Sequence, residues 1–74
     1  MKKVSVVIAN RHYTSITLED EFYEILLSIA KEKKLSINAL VTEIDINRSA
    51  NHNLSSAIRI FILEYLKNKI SRLS

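Results

Sequence analysis

From Tyr13 to Leu18 the chain alternates, with Ile16 and Leu18 on one strand face and Tyr13, Ser15 and Thr17 on the other. The strand leads into the acidic start of an amphipathic helix at Glu19-Asp20-Glu21. One face can enter a core, and the other carries a row of hydroxyls. A lone strand in so short a chain needs a second strand to pair with, and another copy of the protein is one source. Val4 to Ala9 is rich in β-branched residues and reads as a strand, with Asn10-Arg11-His12 as the turn between the two. The chain has no Gly, and tight two-residue turns favour positive φ, so one long strand bent near Asn10 competes with the hairpin. The expected strands cover about residues 4–9 and 12–18.

Beyond Leu18 the period changes. Phe22, Ile25, Leu26 and Ile29 fall at the spacing of one buried helical stripe, which predicts a helix over about 19–33. Its acids lie in the first turn and Lys31, Lys33 and Lys34 near its end, as the helix dipole favours. With no Gly available, Lys34 or Leu35 has to make the exit. Ser36 is a good N-cap for a second helix over about 36–46, with Ile37, Leu40, Val41 and Ile44 as its stripe. The polar run from Asn47 to Asn53 reads as a loop. Asn53 or Ser55 then caps a third helix over about 54–70. Leu54, Ala57, Ile58, Phe61, Ile62, Tyr65 and Leu66 form its broad stripe, and Ile60 and Leu63 add a second apolar strip. A helix so apolar around its circumference is expected to sit between two partners, one in its own chain and one in another subunit. The sequence shows no internal repeats and no low-complexity segment.

Length sharpens that expectation. A 74-residue chain is read as one domain, 1–74, and a core of this size supplies only about 3–5 kcal/mol unless it is reinforced. Without Cys there are no disulfides or thiolate metal sites, so dimerisation is the expected reinforcement for a chain that is 47% hydrophobic. The formal charge of +3 is compatible with a polyanion partner without requiring one. Lys2-Lys3 before an apolar run resembles the start of a signal peptide, but the run is short, is broken by Ser5, and lacks a cleavage site. No stretch reaches the roughly 20 apolar residues of a membrane span, and the expected location is the cytoplasm.

Little of the sequence suggests chemistry. His12 and His52 have no acidic residue at helical spacing, so no metal site is expected. Glu43 and Asp45 face different directions on a helix and make no acid/base pair. Ser55-Ser56 has no base positioned by sequence, and without Gly there is no nucleophile elbow or phosphate loop. Neither an enzyme nor a cofactor is expected. The hydroxyl row has two readings: the wet face of a half-exposed ribbon, or short polar groups reaching base edges in the DNA major groove.

The order strand, helix, Ser-capped helix resembles the ribbon-helix-helix (Arc/MetJ-type) DNA-binding domain family. Arg11 through Glu19, Leu35 through Asp45, and Asn53-Leu54-Ser55-Ser56-Ala57-Ile58-Arg59 resemble a subgroup of short bacterial proteins with this domain. The resemblance implies an α+β, mostly helical fold: an N-terminal strand or hairpin followed by helices, in an intertwined homodimer. Its paired strands would form an antiparallel ribbon in the major groove of double-stranded DNA. It implies base reading by Arg11, Tyr13, Ser15 and Thr17, and a phosphate held at the second-helix N-terminus by Ser36, Ile37 and Asn38, with Lys2 and Lys3 as further phosphate contacts. The expected dimer core gathers Ile16, Leu18, Phe22, Leu40, Ile58, Phe61, Ile62 and Tyr65. The implied function is a small bacterial transcriptional regulator, with higher oligomers on DNA left open. The alternative is a protein-interaction and dimerisation module resembling a partner-binding antitoxin.

Overall fold

The computed structural model describes residues 1–8, 12–49, 51 and 53–73. Strands β1 (Lys2–Ile8) and β2 (His12–Leu18) are followed by helices α1 (Asp20–Lys33), α2 (Ile37–Asn47) and α3 (Leu54–Leu73). The strands pair antiparallel, with Val4 opposite Ile16, Ser5 opposite Ser15 and Val6 opposite Thr14. The partner sought for the lone strand is thus β1 of the same chain. β1 begins earlier than the apolar run, because Lys2 and Lys3 continue the pairing opposite Leu18 and Thr17 with their side chains in solvent. The expected turn at Asn10-Arg11 lies outside the described residues.

The helix ends follow the local chemistry of the sequence. α1 stops at Lys34, which adopts a left-handed conformation (φ 60°, ψ 39°). The N–H groups of Lys34 and Leu35 close on the carbonyls of Lys31 and Ala30. That conformation costs a residue with a Cβ roughly 1–2 kcal/mol, and the chain has no Gly to relieve it. Ser36 caps α2, its Oγ accepting from the Ala39 N–H at 3.0 Å. Asn53 rather than Ser55 caps α3, its Oδ1 accepting from the Ser56 N–H at 2.8 Å.

Three helices cover one face of the ribbon. The buried core joins Val6, Ile16 and Leu18 of the strands to Leu26, Ile29 and Ala30 of α1, Leu40, Val41 and Ile44 of α2, and Ala57, Ile58 and Ile62 of α3. Of the expected dimer core, Ile16, Leu18, Leu40, Ile58 and Ile62 are enclosed by the chain itself, and Phe22, Phe61 and Tyr65 pack half-buried against them. Their burial needs no second copy, because α3 folds back over the core. The face of α3 turned away stays apolar, with Leu63, Leu66 and Ile70 exposed.

Two polar clusters fasten α3. Arg59 Nε donates to Glu19 Oε1 at 2.9 Å, and its Nη2 donates to the Thr17 carbonyl at 3.4 Å. Glu32 accepts from the Tyr65 hydroxyl and from Lys69 Nζ. The bond from Arg59 lowers the Glu19 pKa, and those from Tyr65 and Lys69 lower that of Glu32. Both groups favour the charged form in the fold, so their stabilisation is full above the ordinary glutamate range. It is lost as pH falls through the lowered folded values. Replacing both residues (Glu19→Gln with Glu32→Gln) should therefore flatten the acid side of the stability–pH profile, measured by urea melts from neutral to acidic pH. An acid limb as steep as that of the unmodified protein would show that other groups set it.

Candidate nucleic-acid interface

The outer face of the ribbon carries Tyr13, Ser15 and Thr17 from β2, all exposed, with Tyr13 at 85%. Across the pairing register stand Val7, Ser5 and Lys3 of β1, in that order. The face is thus two parallel rows, Lys3-Ser5-Val7 beside Thr17-Ser15-Tyr13. Strand alternation creates it: the residues between them, Val4, Val6, Thr14 and Ile16, turn inward and are buried or half-buried. Lys2 lies off this face, with its Nζ 5.2 Å from the centre of the Tyr23 ring.

Each outer edge of the ribbon is met by the start of a helix. On the β1 edge, the Val7 N–H donates to Asn38 Oδ1 at 3.2 Å. On the β2 edge, the Thr17 N–H donates to Ser55 Oγ at 3.3 Å. Asn38 and Ser55 hold the same place in their helices, two residues after the capping side chains of Ser36 and Asn53. In α2 the Ala39 N–H is taken by Ser36 Oγ and the Leu40 N–H by the Ser36 carbonyl. The N–H groups of Ile37 and Asn38 are left outside the helix's own ladder, beside the ribbon edge.

A family model described as ribbon-helix-helix domain matches residues 1–66. The chain belongs to the ribbon-helix-helix family. No curated protein and no solved structure matches it. Ribbon-helix-helix domains commonly bind DNA, usually as dimers, and are typically non-enzymatic. Among the described residues no helix is long and apolar enough to cross a membrane, and no three His, Asp or Glu side chains converge as metal ligands would.

Within this ribbon-helix-helix fold the structure brings together Tyr13, Ser15 and Thr17 on one row, with Ser36, Ile37 and Asn38 at the flank of the β1 edge. It separates Lys3, which shares the outer face, from Lys2, which does not. Arg11, the remaining expected base reader, lies outside the described residues. Sequence reasoning missed Ser5 and Val7, which sit level with Ser15 and Tyr13. It also missed the hydrogen bonds from the ribbon edges to Asn38 and Ser55, which span 31 and 38 residues of chain. The available signal was the polar residue at the second helical position in both Ser36-Ile37-Asn38 and Asn53-Leu54-Ser55. Each of these bonds is neutral, so Asn38→Ala and Ser55→Ala should each cost about 0.5–1.5 kcal/mol in denaturant unfolding. No loss in either variant would remove the two side chains from any part in holding the ribbon.

Proposed function

We infer that the chain is a small bacterial transcriptional regulator that lays its ribbon in the major groove of double-stranded DNA. One observation carries the reading: an exposed outer row of short hydroxyl side chains and Tyr13 stands on a ribbon backed by buried apolar residues. A two-stranded ribbon fits the major groove, and Ser, Thr and Tyr hydroxyls can meet base edges there. The first turn of α2 is assigned a backbone phosphate, through the N–H groups of Ile37 and Asn38 with Ser36 beside them. Lys2, at the opposite end of β1 from that turn, adds charge towards the DNA backbone there. Such a regulator acts in the cytoplasm, where the DNA is.

The phosphate hold is tested by Ile37→Pro, since Pro suits the first helical position but removes the donor. Compared with Ile37→Val as a packing control, the Pro variant should stay folded and lose about 1–3 kcal/mol of DNA affinity, the value of a hydrogen bond to a charged group. A gel-shift titration over a salt series reads this directly. Equal affinity for the two variants would discard the hold and turn the reading towards a protein partner.

Self-association is assigned to the outer face of α3. Leu63, Leu66 and Ile70 recur at spacings of three and four residues, the pattern by which two helices interlock, and Leu63 and Leu66 border a mostly apolar groove lined also by Phe22, Arg59, Ile60 and Ile62. The melting temperature should rise with protein concentration, and Leu63→Glu should abolish that dependence and give a monomer in sedimentation. A melt independent of concentration in the unmodified protein would remove this assignment.

A further inference from the structure

The geometry points to an asymmetric duplex site read by a single copy of this chain, with β1 supplying Lys3, Ser5 and Val7 to the reading face on the same footing as Tyr13, Ser15 and Thr17 of β2. This deepens the DNA-binding reading and rests on it.

The basis is a local two-fold relation inside one chain. A half-turn about an axis between Ser5 and Ser15, which face each other across the ribbon, carries each β1 residue onto the β2 residue ten positions later. Val6 then corresponds to Ile16, both buried, and Val4 to Thr14, both half-buried; Lys3 corresponds to Tyr13 and Ser5 to Ser15, all exposed. The same half-turn relates the two edge bonds, since Val7 corresponds to Thr17, and their acceptors Asn38 and Ser55 lie seventeen residues apart in equivalent first turns. The correspondence continues into the helices: Leu40 and Val41 are buried, as are Ala57 and Ile58 seventeen positions later. Strand pairing, the inner-row burial and one bond on each edge thus obey a two-fold relation that the sequence does not, while Val7 is half-buried where Thr17 is exposed and Arg59 is added on the β2 edge.

The DNA backbone has two-fold axes across its grooves, whereas its bases obey them only in a palindrome. A ribbon with symmetric support therefore seats evenly, while its unlike side chains ask for unlike half-sites. At one end Lys3 stands beside Thr17, and an ammonium only donates, which suits the O6 and N7 acceptors of guanine. At the other end Val7 stands beside Tyr13, and an apolar side chain suits the thymine methyl. Only the central pair, Ser5 and Ser15, presents the same group to both strands of the duplex.

Selection from random duplexes followed by sequencing tests this, with folding of each variant checked by circular dichroism because both altered positions are exposed. Under each ribbon the unmodified protein should enrich a non-palindromic element with guanine preferred at one end only; copies joined through α3 would repeat that element as a whole. Lys3→Ala should lower that guanine discrimination by roughly 5- to 150-fold and leave the other end unchanged. Tyr13→Lys should create a guanine preference at the second end and make the element nearly palindromic. A palindromic element under a single ribbon, or a Lys3→Ala effect on both ends of that element together, would overturn the proposal, because two copies of one strand would then form the face. Proximity of Val4 and Ile16 between labelled and unlabelled chains, seen by isotope-filtered magnetic resonance, would overturn it as well. If no protein binds any duplex at low salt, the DNA-binding reading itself falls and takes this proposal with it; symmetric enrichment under a single ribbon fells the proposal alone.

Discussion

The inner row of the ribbon, Val4, Val6 and Ile8 together with Ile16 and Leu18, has to be covered, because an isolated two-stranded hairpin is marginal in water. The other elements can be understood as ways of supplying that cover. α2 and α3 lie along β1 and β2 respectively, and α1 packs against both helices. Once the inner row is covered, strand alternation leaves the outer row facing solvent. The exposed face is therefore a by-product of core formation. Its residues are free to vary with function because they contribute little to holding the ribbon.

The ribbon also has edges, and a strand edge exposes backbone groups that invite pairing with another chain. Here each edge receives a side chain from the first turn of a helix, and the β2 edge receives Arg59 as well, at the Thr17 carbonyl. These bonds set how deep the ribbon sits between the two helices. They also place the orphan N–H groups of Ile37 and Asn38 next to a strand edge. Such a placement matters only if something negatively charged approaches alongside the ribbon.

What could be read from the sequence was local. Ser36 and Asn53 announce their helices because a side-chain oxygen at a cap satisfies a donor two or three residues away. The Ile16/Leu18 alternation gives the buried face of β2, and the absence of Gly leaves the exit of α1 to a residue such as Lys34. The N-terminal start of β1 was harder, since Lys2 and Lys3 carry no strand signal of their own and extend β1 only by pairing with Leu18 and Thr17. Least legible was the correspondence between the two halves. Val6 and Ile16, or Leu40 and Ala57, share burial but not identity, and a relation held in burial leaves no repeat in the letters. Ser55 shows the same limit: read locally it is a candidate cap, and only the distant Thr17 reveals its task.

The bond from Thr17 to Ser55 has a consequence for motion. The amides of Tyr13, Ser15 and Thr17 lie at alternate positions and point out from the same strand edge, away from β1. Of these, the Thr17 N–H is held by Ser55 on α3, and the carbonyl of the same residue accepts from Arg59 of that helix. If α3 lifts from the core while the hairpin persists, Thr17 loses its acceptor and its hydrogen becomes open to exchange with water. Its exchange rate is thus a gauge of a partial opening in which one helix departs and the ribbon remains.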